Sequence, residues 1–211
     1  MDPNATDSAD LGDWSGYDWG DYYARRTDRP PRELLLRAHT TYTKGGRGPG
    51  EAVDLGCGDG ADTAWLLRHG WSVTAVDASA ASERHVRANA EGYLDRLDLI
   101  IGDLATTELP EADLVVACFS LPYVPPARFG AMWDGVRAAL QPGAVLAVTL
   151  FGERDSWAGR FADMTFHSRA QVDARFAGLD VLELTEDEQD GTSDIGPKHW
   201  HTFDVIARRP W

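Results

Sequence analysis

From residue 52 onward, short apolar runs alternate with segments whose apolar residues recur at helical spacing. The apolar runs predict strands, because a parallel strand covered on both faces is apolar throughout. These strands are predicted at residues 52–55, 71–76, 97–101, 114–119 and 145–151. The helical spacing predicts helices at residues 61–69, 82–92 and 127–140. Alternation of this kind is typical of a doubly wound α/β sheet with parallel strands.

The end of the chain has a different pattern. Ser168 predicts the cap of a helix over residues 169–176. Two more strands are predicted at residues 181–184 and 202–207, with no helical pattern between them. A hairpin fits this connection, and it makes the last strand antiparallel to the others.

The sequence before the sheet divides into two parts. Residues 1–13 are polar and acidic and predict a disordered tail. Residues 14–50 predict an N-terminal extension or lid, rich in aromatic residues that include Trp14 and followed by a helix that Pro30 and Pro31 open. Residues 51–211 then form one domain, with no internal repeat and no second domain.

Composition narrows the classes of partner. The 211-residue chain has a formal net charge of −14 and no cluster of basic residues, so nucleic acid and anionic membrane surfaces are not expected as partners. No apolar run reaches the roughly 18 residues of a membrane span, and the N-terminus is unlike a signal peptide. The two cysteines have no metal-type spacing. We therefore expect a cytoplasmic protein, a monomer or homodimer, without a metal site.

A glycine-rich loop follows the first predicted strand. Gly56, Gly58 and Gly60 are spaced G-x-G-x-G, whereas dinucleotide-binding loops read G-x-G-x-x-G. Asp54 precedes the loop and would lie poorly beside a pyrophosphate, but it suits a cofactor that carries an ammonium and a sulfonium group.

Two more carboxylates follow strands. Asp77 comes after the second strand, where a carboxylate can accept hydrogen bonds from both ribose hydroxyls. Asp103 follows the third strand, where it can bind an adenine amino group. Carboxylates at the ends of three successive strands favour a nucleoside-containing ligand over three unrelated surface residues.

Together, these motifs resemble those of class I S-adenosylmethionine-dependent methyltransferases, and Leu140-Gln141-Pro142-Gly143 extends the resemblance. That family has a mostly parallel seven-stranded sheet whose last strand is antiparallel. The resemblance implies S-adenosylmethionine as cofactor, S-adenosylhomocysteine as product, and glycines that pass beneath the methionine part. The implied cofactor-binding residues are Tyr23, Asp54, Gly56, Cys57, Gly58, Asp77, Ala78, Asp103, Leu104 and Phe119.

A narrower resemblance rests on three short strings. They resemble bacterial small-molecule methyltransferases of the tellurite-resistance or thiopurine type, and they are Trp19-Gly20-Asp21-Tyr22-Tyr23, Asp155-Ser156-Trp157 and Phe166-His167-Ser168. This resemblance implies a small-molecule acceptor.

Three segments are expected to reach the carboxyl edge of the sheet, where ligands bind. They are residues 120–126, residues 151–157, and residues 198–201 in the connection between the last two strands. The candidate substrate residues in them are Tyr123, Arg154, Trp157 and Trp200. Ser120-Leu121-Pro122-Tyr123 lacks the Asn or Asp with which enzymes that methylate exocyclic amines bind the amino group, so that class is less favoured.

His199 and His201 are the candidate general bases, because histidine titrates near neutral pH. The alternative is that they only pack and hydrogen-bond the base of the hairpin. A metal site at this pair would need a third ligand such as His167.

The function predicted is methyl transfer to an N, O, S or chalcogen-oxyanion acceptor. One alternative is a non-catalytic cofactor-binding module. The other is a nicotinamide-dependent oxidoreductase, against which the glycine spacing argues.

Overall fold

The computed structural model of the chain describes residues 17–26, 29–44 and 46–211. Two helices precede the sheet, α1 (Trp19–Ala24) and α2 (Glu33–Thr43). The strands are β1 (Glu51–Leu55), β2 (Ser72–Asp77), β3 (Leu97–Ile101), β4 (Ala112–Ala117), β5 (Leu140–Gly152), β6 (Phe166–His167), β7 (Asp180–Ser193) and β8 (Gly196–Arg208). The remaining helices are α3 (Ala61–Arg68), α4 (Ser82–Asn89), α5 (Pro126–Ala139) and α6 (Arg169–Arg175). The predicted tail at residues 1–13 and Trp14 lie outside the described residues.

The strand order is β3-β2-β1-β4-β5-β8-β7, and the two-residue strand β6 pairs with β5. Strands β1 to β5 are parallel to one another, whereas β8 is antiparallel to both β5 and β7. The predicted fold, a mostly parallel doubly wound sheet with an antiparallel last strand, is therefore confirmed. Strand β6 is an addition that the sequence pattern did not predict.

Each face of the sheet has its own apolar core. Helices α2, α3 and α4 cover one face, where Leu35, Leu66 and Trp71 are fully buried. On the other face α5 and α6 pack over strand residues such as Val148 and Phe203. Because both faces are covered, the carboxyl edge of the sheet is left as the place for a ligand.

The cap of α6 forms as the sequence predicts. The Ser168 hydroxyl accepts a hydrogen bond from the Gln171 backbone N–H at 3.3 Å, and the Gln171 side chain accepts one from the Ser168 N–H at 2.8 Å. This reciprocal arrangement is a capping box.

The hairpin of β7 and β8 is much longer than the predicted strands. Strand β5 pairs with β8 only as far as Phe151 and Thr202, whereas β7 and β8 continue to pair up to Ser193 and Gly196. Residues 188–193 and 196–201 thus form a two-stranded ribbon beyond the carboxyl edge of the sheet. The prediction that residues 198–201 form the connection between the strands was wrong, because they lie within β8 and the turn is at Asp194 and Ile195.

None of the helices in the described part of the chain has the length and apolar character of a membrane span.

Candidate active site

The glycine loop turns sharply at the end of β1. Gly56, Gly58 and Gly60 all have positive φ angles, of 82°, 54° and 78°. The N–H groups of Gly56 and Cys57 donate to the Val76 carbonyl at 2.7 and 3.0 Å, which fixes the loop against the end of β2. A Cβ atom at Gly56 would lie 2.1 Å from the Cβ of Ser120. Only glycine fits this position, and it leaves the loop backbone open to the cavity described below.

Asp77 lies at the end of β2 and faces the same cavity. Its carboxylate accepts hydrogen bonds from the backbone N–H groups of Gly58 and Ser79, both at 2.8 Å, and from the Tyr23 hydroxyl at 3.2 Å. Burial raises the pKa of Asp77, and these hydrogen bonds partly offset the rise. The carboxylate is therefore held rigidly and can accept hydrogen bonds from a ligand.

Asp103 follows β3 and lies in a more exposed position. It accepts a hydrogen bond from the Ala105 N–H at 2.8 Å and forms an ion pair with Arg128 of α5. Partial burial has the largest single effect and works against ionisation, but the hydrogen bonds from Arg128 and the Ala105 N–H, together with the charge of Arg128, outweigh it and lower the pKa of Asp103. A ligand amino group at Asp103 would share this carboxylate with Arg128.

The loop and both carboxylates border a cavity of about 790 Å³ at the carboxyl edge of the sheet. This volume is in the range of small-molecule sites. Of the cofactor-binding residues expected from the sequence, those that line the cavity are Tyr23, Gly56, Cys57, Gly58, Asp77, Ala78, Asp103, Leu104 and Phe119.

Asp54 is the exception, because it does not line the cavity. It is 3% exposed and accepts a hydrogen bond from the Thr63 hydroxyl of α3 at 2.6 Å. Burial, with a contribution from nearby Asp62, raises the pKa of Asp54 to about 7. The expectation that Asp54 meets the charged groups of the cofactor does not fit this placement; the residue instead ties the start of α3 to β1.

A charged network beside the glycine loop was missed by sequence reasoning. Arg29 pairs with Asp59 at 2.8 Å and with Asp62 at 3.2 Å, and all three line the cavity. Asp62 also accepts the backbone N–H of Arg32 at 2.8 Å. The network fastens the segment before α2 to the loop. Asp59 belongs to the glycine motif, but nothing in the sequence links it to an arginine 30 positions earlier.

The other half of the cavity is aromatic, with Trp19, Tyr22, Phe119, Tyr123, Phe151 and Trp200 in its lining. Several of these rings pack edge to face, with centroids 5.0 Å apart for Trp19 and Tyr123 and 5.8 Å apart for Phe151 and Trp200. A smaller cavity of about 300 Å³ adjoins it and shares Trp19, Tyr123 and Trp200.

Only some of the candidate substrate residues line a cavity in the structure. Tyr123 and Trp200 line the main cavity. Trp157 lines the smaller cavity and is otherwise buried. Arg154 lines neither cavity; it pairs with Glu186 and Glu188, both at 2.7 Å, on the outer side of the ribbon. We therefore do not retain Arg154 as a substrate residue.

His199 and His201 also lie away from both cavities. Side chains alternate along β8, so these two face away from Trp200. His199 contacts Asp190 at 2.7 Å on the surface, and His201 is fully buried against Gly152. The general-base hypothesis does not fit these positions, and the alternative role in packing and hydrogen bonding does.

The possible metal-binding group around His201 already holds the positively charged side chain of Arg154. The His201 ring and the carboxylates of Glu186 and Glu188 offer atoms within 4.8 Å of one another, but the Arg154 guanidinium bridges both carboxylates. His167 is packed edge to face on Phe129, with centroids 4.8 Å apart. It is not part of that group.

Lys198, the first residue of the Lys-His-Trp-His run, is unusual because its side chain has no exposed area. Its Nζ atom lies 3.3 Å from the ring centroid of Trp157, 3.9 Å from that of Trp200 and 4.1 Å from that of Phe151. Asp155 pairs with it at 3.2 Å. Burial lowers the pKa of Lys198 to about 8, although Asp155 acts in the opposite direction. The ammonium thus lies behind two rings of the cavity wall, where cation–π attraction and Asp155 hold it.

This pKa predicts a pH dependence of stability. Above pH 8 the folded chain loses the Lys198 proton, while the unfolded chain keeps it up to about pH 10.5. Relative to Lys198→Met, the free energy of unfolding of the wild type should therefore rise with pH in this interval, by about 2 kcal/mol between pH 8 and 9.5. Urea unfolding of the wild type and of Lys198→Met at both pH values measures this, since the variant lacks the titrating group. A difference between the two proteins that stays constant with pH would contradict the prediction.

Comparisons with known proteins agree with the fold and the loop. The methyltransferase domain family matches residues 52–143. The chain is 33% identical over 146 residues to carboxy-S-adenosyl-L-methionine synthase of Enterobacter sp. (strain 638), covering 65% of this chain and 58% of that protein. It is 31% identical over 174 residues to trans-aconitate 2-methyltransferase of Rhodococcus jostii (strain RHA1), covering 74% of this chain and 64% of that protein. The chain thus spans less than two thirds of the length of either relative.

A solved structure shares the fold. The N-methyltransferase NodS from Bradyrhizobium japonicum WM9, in complex with S-adenosyl-l-homocysteine, superposes with a TM-score of 0.68 at 17% identity. The match covers 92% of this chain and all of that chain. The match over residues 52–143, the order of the sheet and the glycine loop together support a class I S-adenosylmethionine-dependent methyltransferase domain in this chain.

Proposed function

We propose that the chain transfers the methyl group of S-adenosylmethionine to a small molecule held in the aromatic half of the cavity. The observation that carries this proposal is the position of Asp77. Its carboxylate is fixed by the loop that supplies Gly58, and it faces a cavity whose other half is made of aromatic rings.

The residues present fit this cofactor. On this proposal Asp77 accepts hydrogen bonds from vicinal hydroxyls and Asp103 from an amino group, and both carboxylates line the cavity beside a glycine loop that has no Cβ atoms at Gly56 and Gly58. When bound, S-adenosylmethionine supplies a methyl group that its sulfonium already activates. Aromatic faces attract such a cation, and Phe119 and Tyr123 lie in the half of the cavity that would receive it.

The main contribution of the protein is orientation, since the methyl group needs no further activation. Holding two reactants in line can supply about 7–11 kcal/mol in well-oriented systems. Here the rings of Trp19, Tyr123 and Trp200 form the wall against which an acceptor would be held.

We expect an acceptor that the protein does not need to deprotonate. In the described part of the chain, no histidine lines the cavity. Burial also raises the pKa values of Tyr123 and Cys118, so neither is a ready proton acceptor at neutral pH. Thiolates, oxyanions and soft chalcogen atoms need no base, and they are the acceptors we favour.

The names of the two relatives support a small-molecule acceptor, since one makes carboxy-S-adenosyl-L-methionine and the other methylates trans-aconitate. The net charge of −14 also disfavours a nucleic-acid substrate. On this proposal the enzyme acts in the cytoplasm, as a monomer or homodimer, without a membrane partner.

The test is turnover by the purified chain. It is incubated with S-adenosylmethionine and a panel of thiols, phenols, amines and chalcogen oxyanions, and S-adenosylhomocysteine release is followed by mass spectrometry. We expect release that depends on one acceptor class and is unchanged in His199→Ala, because His199 lies outside the cavity. Binding of the cofactor without release for any acceptor would favour the non-catalytic alternative. A carboxylated cofactor product would instead indicate the reaction named for the first relative.

A further inference from the structure

Arg32, immediately before α2, differs from Arg29, the other partly buried arginine that lines the cavity. Arg29 pairs with Asp59 and Asp62, whereas Arg32 has no carboxylate within ion-pair distance among the described residues. Its guanidinium lies over the Phe119 ring, 4.9 Å from the centroid. Its Nε atom is buried and has no hydrogen-bond partner in the described part of the protein.

The backbone holds this guanidinium in place. The Arg32 N–H donates to Asp62 at 2.8 Å, and Asp62 is itself held by Arg29. Phe119, beneath the guanidinium, is followed by Ser120, which packs against Gly56 of the loop. Arg32 therefore lies on the cavity wall close to the glycine loop, and its position is set by residues other than a counter-ion.

A buried guanidinium N–H without an acceptor is costly, and guanidinium groups match planar oxyanions through two parallel hydrogen bonds. We propose that Arg32 binds a carboxylate or a similar oxyanion of a ligand in this cavity. The inference rests on the proposed function, which supplies two sources of such a group. One is the carboxylate in the methionine part of the cofactor, and the other is an acidic group on the acceptor.

The experiment compares ligands with and without the amino-acid part that carries this group. S-adenosylhomocysteine carries the carboxylate, and 5′-methylthioadenosine keeps the adenine, ribose and sulfur without the amino-acid part. Calorimetry measures the dissociation constant of each nucleoside for the wild type, for Arg32→Gln and for Arg169→Gln. The last variant is a control that removes an exposed arginine of α6. In a second arm, benzoate and benzamide are titrated into the protein saturated with S-adenosylhomocysteine.

If the anion belongs to the cofactor, Arg32→Gln weakens the binding of S-adenosylhomocysteine at least tenfold and leaves the binding of 5′-methylthioadenosine unchanged. If it belongs to the acceptor, S-adenosylhomocysteine is unaffected, and the wild type prefers benzoate over benzamide, a preference that the variant loses. Either result supports the proposal and identifies the source.

The proposal is overturned if Arg32→Gln changes neither the affinity for S-adenosylhomocysteine nor a preference for benzoate over benzamide. It is also overturned if the variant binds both nucleosides more weakly by the same factor. Its failure is distinguishable from failure of the proposed function. In the first case the wild type still binds S-adenosylhomocysteine and still produces it from S-adenosylmethionine in the turnover assay. In the second it binds neither nucleoside, or binds S-adenosylhomocysteine without turning over any acceptor.

Discussion

Asp77→Asn is expected to weaken the binding of S-adenosylhomocysteine about 100-fold. The carboxylate is positioned by the backbone of Gly58 and Ser79, and it lines the cavity. Loss of two charge-assisted hydrogen bonds to ribose hydroxyls costs about 3 kcal/mol, which corresponds to this factor. Isothermal titration calorimetry measures the dissociation constant directly.

Asp98→Asn is the matched control, since Asp98 is an exposed carboxylate of β3 on the neighbouring strand. It should bind the ligand like the wild type. Equal affinity of Asp77→Asn and the wild type would show that Asp77 does not bind the ribose.

Gly56→Ala is expected to lower the free energy of unfolding by about 3 kcal/mol and to abolish binding of S-adenosylhomocysteine. Two effects add. A positive φ costs an L-residue about 1–2 kcal/mol, and a Cβ atom 2.1 Å from that of Ser120 forces the loop or the segment after β4 to move. Urea unfolding and calorimetry together measure both consequences.

The chain offers a control that separates these effects. Gly92 has a similar φ of 86°, but no atom lies within 4 Å of the position of its Cβ. Gly92→Ala should therefore show only the conformational cost. Adding Ser120→Gly to Gly56→Ala removes the clash and should recover part of the lost stability, relative to Ser120→Gly alone. If Gly56→Ala is no less stable than Gly92→Ala, the close packing of the loop against Ser120 is contradicted.

The sequence predicted the sheet well where its strands are buried. Continuous apolar runs mark β1, β2 and β4, and β3 was predicted at its observed bounds. It failed at β7, whose outer half is acidic and mostly exposed. An edge strand in a solvated ribbon has no buried face, so no alternation of apolar and polar residues marks it.

In the site, short motifs predicted which residues reach the edge of the sheet, but the sequence did not predict contacts between distant segments. Asp77 and Asp103 line the cavity at the carboxyl edge, where the sequence predicts them, because the end of a parallel strand reaches a known edge of the sheet. Asp54 precedes the same loop, but its side chain turns inward to Thr63. His199 and His201 depend on which face of β8 each residue occupies, and pairing with β7 sets that face. The partnership of Arg29 with Asp59 joins segments that no sequence spacing relates.

The central claim is that the cavity beside the glycine loop binds S-adenosylmethionine. The most direct measurement is calorimetry of the wild-type chain with S-adenosylhomocysteine and, separately, with a reduced nicotinamide dinucleotide. We predict one-site binding of S-adenosylhomocysteine that Asp77→Asn weakens about 100-fold, and no binding of the dinucleotide. Binding of the dinucleotide without binding of S-adenosylhomocysteine would contradict the claim.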